Sequence, residues 1–410
     1  MTHQRNRAMA FVALIGVVSL FADMTYEAGR SINGPFLAVL GAGSLAVGVI
    51  AGLGELLGYL VRPLSGANAD RTGRYWSITI CGYVINLFAV PALALCGSWP
   101  VAALLMMAER IGKGIRNPPR DTMLSAAGSV IGQGWAFGLH EALDQIGATA
   151  GPLIVALVLF LNGDYHLAYA WLLVPATIAV GVVVAGRFVY PHPEHFEAPA
   201  PSEAGDRLDE AGNAGRRFPT LYWIYLAGIM LVAMGFADFP LIAFHFHQAR
   251  TVSSDLVPVL YAAAMAVDAV AAMAFGALLE RIGPVTMIIA VGIALFSAPF
   301  VFGLGTTGKI FPALIGMALW GIGMGAHEAV MSAVIAKIVP FRDRGRAFGL
   351  FNAAYGGAWF AGSAMMGFLY GVSIPSLIVF SMTTQALSLP LLMVVSRRLG
   401  ALPGSNKSSY

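Results

Sequence analysis

The sequence predicts an all-α membrane protein, in which twelve transmembrane helices form two six-helix bundles that repeat each other in parallel. Only 11% of the 410 residues are charged, whereas soluble domains carry about 25%. Windows of about twenty apolar residues, the length that crosses a bilayer, recur along the chain. Motifs of the first half return in the second half at a nearly constant spacing, which is typical of membrane proteins with duplicated halves.

Twelve apolar windows account for most of the chain. With 58% hydrophobic residues and a mean hydropathy of +0.75, the chain lacks the charge to cover a surface that faces water. A lipid bilayer is therefore its expected surrounding. The predicted spans are 8–30, 41–63, 75–96, 100–126, 133–160, 166–187, 220–246, 257–280, 284–304, 311–338, 345–370 and 374–396.

One long polar segment, residues 191–218, separates the first six spans from the last six. It is rich in Pro, Ala, Gly and charged residues, a composition typical of linkers. We therefore expect an N-terminal bundle over residues 1–190 and a C-terminal bundle over residues 219–410.

Basic residues are concentrated in alternate loops, which predicts the orientation of the chain. Arg5 and Arg7 precede the first span, Arg71 and Arg74 follow the second, and the central linker and the loops after the eighth, tenth and twelfth spans continue the series. Cytoplasmic loops carry an excess of Lys and Arg. Both termini and the linker are therefore expected in the cytoplasm, and the compact chain indicates a bacterial inner membrane.

The second half repeats short motifs of the first. The loop after the second span has a counterpart after the eighth, displaced by 210 residues (276 − 66). The first copy consists of Gly66, Asp70, Arg71, Gly73 and Arg74, and the second of Gly276, Glu280, Arg281, Gly283 and Pro284. Two further pairs of motifs recur in the same order, so the halves are interpreted as parallel repeats.

With these loop motifs, the sequence resembles the major facilitator superfamily. The resemblance covers the whole chain and implies a secondary transporter that works by alternating access. It also implies that the loop residues Gly66, Asp70, Arg71, Gly73 and Arg74, with Glu280 and Arg281 in the second copy, form a conformational latch on the cytoplasmic side. Because Pro284 stands where the first copy has Arg74, the second latch is expected to be weaker.

The fifth span carries a second pattern of the same family. Gly147, Gly151 and Pro152 are similar to a motif associated with antiporters. The two glycines that usually complete the motif are absent, because Val155 and Ala156 stand near their place. The alternative interpretation is a seam of small residues with a proline bend, a feature common where membrane helices pack closely.

Ionisable residues within the spans point to functional groups, because charge in a bilayer is costly. Asp23, Glu27 and Arg30 share one helix face in the first span, and the fourth span contains a basic stripe formed by Arg110, Lys113, Arg116 and Arg120. We predict proton coupling by Asp23, Glu27, Glu141 and Asp144. The predicted substrate-cavity residues are Arg30, Lys113, Arg116, His140, His327, Glu328, Asn352 and Tyr355. The alternative is that these charges are ion pairs that fix the bundle, the interpretation favoured for Glu109, Arg120 and Asp121.

The titratable acids in the spans favour proton coupling, and the motif of the fifth span favours antiport, that is, efflux of a small organic solute. Proton-coupled uptake of an anionic or zwitterionic metabolite is the closest alternative, because of the basic stripe. A polytopic enzyme acting on lipid, with His140, Glu141 and Asp144 as acid–base groups, and a transporter-like sensor are alternatives from other classes. We expect a monomer rather than an oligomer.

Several other functions find no support in the sequence. There is no Gly-rich loop with Lys-Ser/Thr for a nucleotide, and no His-Glu-x-x-His or Cys-x-x-Cys motif for a metal. No basic face interleaved with aromatic residues indicates nucleic-acid binding. We therefore expect neither a cofactor nor a metal, and the solute and protons are the expected partners.

Overall fold

The structure is a computed structural model that describes residues 2–196, 218–304, 310–339 and 344–400. The described residues form α-helices joined by short turns. The helices are α1 (Thr2–Val39), α2 (Ser44–Thr72), α3 (Tyr75–Ala92), α4 (Trp99–Ile131), α5 (Gln133–Asn162), α6 (Tyr165–Trp171), α7 (Leu173–Val189), α8 (Thr220–Gly235), α9 (Phe239–Gln248), α10 (Leu256–Ile282), α11 (Val285–Ala294), α12 (Ile310–Ile338), α13 (Arg344–Val372) and α14 (Ile374–Gly400). The predicted all-α fold is confirmed, whereas linker residues 197–217 lie outside the described part of the chain.

Each predicted span corresponds to a helix or to a pair of consecutive helices. In the described residues, ten helical segments are both long and apolar enough to cross a membrane. The other two long helices, α4 and α13, have 33 and 29 residues, more than the roughly 20 that a bilayer requires. Helix α4 contains many charged residues, and α13 contains glycines and polar aromatic residues in place of aliphatic ones. These two helices are thus less apolar because they line the space between the halves.

The seventh span differs from the single helix that its hydropathy predicts. Helix α8 ends at Gly235, and α9 begins at Phe239 after three non-helical residues. Pro240 lies in the first turn of α9, where its missing N–H costs no hydrogen bond. The Gly235 carbonyl, left free by the break, accepts hydrogen bonds from Ser381 Oγ (2.6 Å) and Gln385 Nε2 (3.0 Å). Buried side chains of α14 thus satisfy the broken helix, as a bilayer requires.

The most extensive contacts between the two halves are made by three pairs of helices. Helix α2 packs against α13, α5 packs against α10, and α1 packs against α9. Within the first half, α1 contacts α4, α5 and α7, and within the second half α14 contacts α8 and α11. The arrangement places α1, α2, α4 and α5 opposite α10, α12 and α13 across a central space.

The halves are closed at one end and separated at the other. At the end formed by the α1–α2 turn, a Cβ atom added to Gly34 would overlap the Pro240 carbonyl, and one added to Gly48 would overlap the Ser363 carbonyl. At the opposite end, a Cβ atom on Gly138 or Gly276 would meet nothing within 4 Å in the described structure. Among these four positions, backbone contact between the halves is therefore found at the end of the α1–α2 turn.

Candidate functional site

A cavity of about 390 Å³ lies between the halves. It is bounded by α1, α2, α4 and α5 of the first half and by α10, α12 and α13 of the second half. Its residues lie beyond the tight glycine contacts, toward the separated end. The volume falls within the range of roughly 300–1,000 Å³ that small-molecule sites occupy.

The basic stripe of α4 faces this cavity, because Arg110, Lys113, Arg116 and Arg120 recur every three or four residues on one helix face. Each of these side chains meets a polar partner. Arg110 Nη1 lies 3.2 Å from Glu55 Oε1, and Arg116 Nη2 lies 3.6 Å from Asp23 Oδ1. Lys113 Nζ donates a hydrogen bond to the Tyr26 hydroxyl. The Arg120 guanidinium pairs with Asp121 at 2.8 Å.

Arg116 differs from the other basic residues of the stripe in the number of its unused donors. Its side chain is only 1% exposed, and its guanidinium carbon lies 4.5 Å from the centre of the Tyr83 ring. Nε and Nη1 have no hydrogen-bond partner among the described residues. An Arg presents its donors as a planar fork that matches a carboxylate or a phosphate. Arg116 therefore keeps two buried guanidinium donors that no described residue uses.

A second charge cluster closes the cavity toward the sealed end. Its centre is Arg30, which lies 3.2 Å from Asp238, 3.4 Å from Glu55 and 3.9 Å from Glu27. Beyond this cluster, Arg110 and Asp238 also line a small void of about 20 Å³. The cluster thus lies between the main cavity and this small void.

Two interactions of the Arg30 cluster join the halves. Asp238, at the break between α8 and α9, is 2% exposed and accepts a hydrogen bond from Trp359 Nε1 at 3.1 Å while it pairs with Arg30. The Tyr261 hydroxyl of α10 donates a hydrogen bond to Glu27 of α1. We call Arg30, Glu27, Glu55, Asp238, Trp359 and Tyr261 the Arg30 cluster.

Most of the predicted proton-coupling and cavity residues line the main cavity. They are Asp23, Glu27, Arg30, Lys113, Arg116, Glu141, Asp144, His327, Asn352 and Tyr355. Asp144 lies beside Asp23, and Glu141 accepts a hydrogen bond from Gln145 at 3.1 Å. The sequence interpretation left Glu55 and Asp238 out of the site. Their charge within a predicted span was the signal that would have included them.

One predicted cavity residue, His140, is absent from the described cavity lining. His140 is buried behind α1, where its Nε2 lies 2.8 Å from Ser19 Oγ, and Arg120 contacts the same hydroxyl at 3.4 Å. The predicted cavity role of His140 is therefore not supported, because its helix position directs the ring into the α1–α5 contact. Glu328 follows His327 on α12, but its side chain lies outside the described residues.

The contacts of Glu109 fit the interpretation that the sequence favours for it, an ion pair that fixes the bundle. Asn86 Nδ2 donates hydrogen bonds to its carboxylate at 2.8 Å and to its carbonyl at 3.0 Å. Arg110 lies 3.2 Å from the other carboxylate oxygen. These contacts hold α3 against α4 away from the main cavity lining.

The predicted latch residues lie at the separated end of the molecule. Gly73 ends α2 with a φ of 64°, a left-handed conformation that suits glycine. Asp70 accepts a hydrogen bond from the Tyr75 hydroxyl at 3.2 Å, and Arg71 and Arg74 are exposed. Within the described residues, none of the three charged side chains forms an ion pair. The latch role of Gly66, Asp70, Arg71, Gly73, Arg74, Glu280 and Arg281 stays a prediction.

The glycines of the fifth-span motif form a close seam between α5 and α1. A Cβ atom added to Gly147 would overlap the Leu20 carbonyl, and one added to Gly151 would overlap the Met24 carbonyl. The helices approach each other because these positions have no side chain. Close packing of α5 against α1 therefore accounts for Gly147 and Gly151. The antiporter role that the motif suggests stays a prediction.

The Gly147→Ala substitution is expected to lower the free energy of unfolding by about 1–3 kcal/mol, because the added methyl group forces α1 and α5 apart. Gly138→Ala on the same helix faces open space and should instead be neutral or stabilise by up to about 1 kcal/mol through helix propensity. Thermal unfolding of both variants in detergent measures the difference. Equal Tm values for the two variants would contradict the seam.

Comparisons with known proteins agree with this architecture. Residues 8–363 and 226–408 match the sequence profile of the Major Facilitator Superfamily. The uncharacterized protein Rv2265 of Mycobacterium tuberculosis is 38% identical over 389 residues, covering 95% of this chain and 93% of that protein. Among solved structures, the nucleoside transporter NupG superposes with a TM-score of 0.70 at 14% identity, covering 97% of this chain and 100% of that chain. A bacterial homologue of the human lysosomal transporter Spinster, in an inward-facing and occupied conformation, gives 0.65 at 14% identity, covering 98% and 99%. By its sequence and its fold, this chain belongs to the Major Facilitator Superfamily.

Proposed function

We propose that this chain is a proton-coupled secondary carrier, which moves a small solute bearing an anionic group across a bacterial inner membrane by alternating access. The observation that carries the proposal is Arg116, a buried guanidinium on the cavity wall with one acidic neighbour and two unused nitrogens. In this proposal both termini and the separated end of the cavity face the cytoplasm, an orientation that the excess of Lys and Arg in the corresponding loops supports. The chain acts as a monomer in this proposal.

The pair formed by Arg116 and Asp23 supplies the coupling. In the absence of solute, Asp23 holds the Arg116 guanidinium at 3.6 Å. An anion that binds Arg116 competes with Asp23, and a carboxylate that has lost its cation takes up a proton more readily. Binding of solute and binding of a proton then favour each other, and such linkage is reciprocal. An anionic solute and a proton would therefore cross in the same direction.

Proton-coupled antiport is the second candidate, and a different part of the cavity favours it. Asp144 lines the cavity with one carboxylate oxygen that has no partner among the described residues. A cationic group that binds Asp144 would compete with a proton for the same oxygen. Competition makes the two ligands cross in opposite directions, which is the efflux mechanism that the motif at Gly147, Gly151 and Pro152 suggests.

The Asp23→Asn substitution is expected to abolish solute-dependent proton movement, because it removes the carboxylate that competes with the solute for Arg116. The measurement uses proteoliposomes with a trapped pH dye and a panel of anionic, zwitterionic and cationic solutes added outside. Symport acidifies the interior when a solute enters, whereas antiport makes it alkaline.

Asp164→Asn serves as the matched control, because Asp164 lies outside the cavity and only caps α6 through the His166 amide. That variant should retain wild-type proton flux. Solute uptake without any proton movement in the wild type would refute proton coupling and return Asp23 to a structural role.

A further inference from the structure

The two walls of the cavity differ in their chemistry. All six of its Arg and Lys side chains come from the first half, and the described lining of the second half contributes none. The second-half wall consists largely of aromatic rings and thioethers, from Phe351, Tyr355, Trp359, Met265, Met324 and Met331. Thioethers and rings both pack favourably against an aromatic surface. The first-half wall also carries acids, among them Asp23, Glu141 and Asp144, and the second-half wall contains Asp268. A solute that fills the cavity therefore meets charges of both signs on one side and a mainly apolar wall on the other.

The rings of the second-half wall form one continuous face. Phe351, Tyr355 and Trp359 are spaced four residues apart on α13 and so lie above one another. The rings of Phe351 and Tyr355 are nearly parallel, with 5.7 Å between centroids, and those of Tyr355 and Trp359 are 5.6 Å apart. Tyr59 of the first half meets Tyr355 edge-on at 5.6 Å. This aromatic face lies opposite the basic stripe of α4.

His327 adds a polar group to the apolar wall. Its side chain is 3% exposed and lines the cavity, and its ring meets the Phe236 ring edge-on at 4.9 Å. Neither Nδ1 nor Nε2 has a hydrogen-bond partner among the described residues. Buried polar groups are normally paired, and an unpaired one calls for an explanation. A neutral imidazole presents one donor and one acceptor, so a ligand with a polar ring atom would satisfy it.

We propose that the solute is a planar aromatic or heteroaromatic acid. Its acid group binds the free edge of Arg116, its ring lies against the aromatic face of α13, and a ring heteroatom exchanges a hydrogen bond with His327. The position of the acid group rests on the proposed function, whereas the ring and His327 contacts are independent of proton coupling.

Three sulfonates of similar size and permanent charge separate the contribution of ring stacking to the affinity from that of a hydrogen bond to the ring. They are benzenesulfonate, cyclohexanesulfonate and pyridine-3-sulfonate, titrated calorimetrically into the full chain in lipid nanodiscs. Benzenesulfonate is expected to bind about threefold to tenfold more tightly than cyclohexanesulfonate, because only a flat ring stacks on the aromatic face. Pyridine-3-sulfonate should gain a further factor of about three to ten from the hydrogen bond to His327.

Two variants test which residue causes each of these two differences in affinity. His327→Phe should remove the preference for pyridine-3-sulfonate over benzenesulfonate and retain the preference of benzenesulfonate over cyclohexanesulfonate. Tyr355→Leu should show the reverse pattern. His247→Phe, a histidine outside the cavity lining, is the matched control and should retain both differences.

The outcomes separate this proposal from the proposed function. Equal affinity for the aromatic and the saturated sulfonate would overturn the aromatic assignment, even if the chain moves protons with some other anion. No binding of any of the three sulfonates to a chain that shows solute-dependent proton flux would overturn it as well. Proton flux is measured in the separate proteoliposome experiment, so failure of proton coupling is seen there and does not alter the binding differences.

Discussion

Replacing Arg30 by Gln is expected to lower the free energy of unfolding by about 3–5 kcal/mol, because removal of one partner leaves buried charges uncompensated. Arg30 is the common partner of Glu27, Glu55 and Asp238. Glu55 keeps Arg110, and Glu27 keeps Tyr261, but among the described residues Asp238 retains only the hydrogen bond from the Trp359 indole. Unfolding in mixed detergent micelles measures the loss. Solute-coupled proton flux should fall with it, because the cluster joins the two halves.

A second substitution distinguishes loss of the ion pair from general damage. In the Arg30→Gln/Asp238→Asn double variant the unpaired carboxylate is gone, so part of the lost stability should return. The double-mutant cycle then gives a coupling energy of about 0.5–3 kcal/mol. Arg187→Gln is the control, because Arg187 is exposed near the end of α7, and its loss should cost less than about 0.5 kcal/mol. Additive effects of the two substitutions would show that Arg30 and Asp238 do not support each other.

Replacing Arg116 by Gln is expected to weaken binding of benzenesulfonate about 10-fold to 100-fold, since a hydrogen bond to a charged group contributes about 1.5–3 kcal/mol. Arg116→Lys retains the charge but loses the planar fork, so its affinity should lie between those of the wild type and the Gln variant. Calorimetric titration in nanodiscs measures both.

The pH of a weakly buffered sample reports the coupling in the same titration. The wild type should take up protons when the sulfonate binds, whereas Arg116→Gln should take up fewer because Asp23 has no cation to lose. Arg187→Lys is the matched control and should bind like the wild type. An unchanged affinity in Arg116→Gln would remove this guanidinium from the solute site.

The sequence predicted the part of the cavity that depends on helical periodicity. Lys113 and Arg116 share a face because of their spacing along α4, and that face had to avoid lipid. The same spacing placed Asp23, Glu27 and Arg30 on one side of α1. Helical spacing did not indicate that the His140 ring of α5 contacts Ser19 of α1. That contact depends on how α1 packs against α5, which the spacing along α5 does not specify.

The break in the seventh span could not be predicted from the local sequence pattern either. Residues 220–246 are predominantly apolar, and hydropathy predicts one helix. Phe236-Ala237-Asp238 repeats Phe21-Ala22-Asp23 of the first half, yet Asp23 lies within continuous α1 and Asp238 lies at a break. The difference arises from contacts made elsewhere, with Ser381 and Gln385 on the free carbonyl of Gly235 and Arg30 and Trp359 on the carboxylate.

The sequence by itself determined the fold class, the division into two repeated halves and the set of charges that cannot face lipid. These follow from hydropathy, from repeated motifs and from helical spacing, which are local properties of the chain. The tertiary structure alone decided the pairs that form between the halves, such as Arg30 with Asp238 across 208 residues. It also decided that the aromatic face of α13 and the basic stripe of α4 line the same cavity. Such contacts depend on how two separately folded bundles pack against each other, and no local pattern specifies that packing.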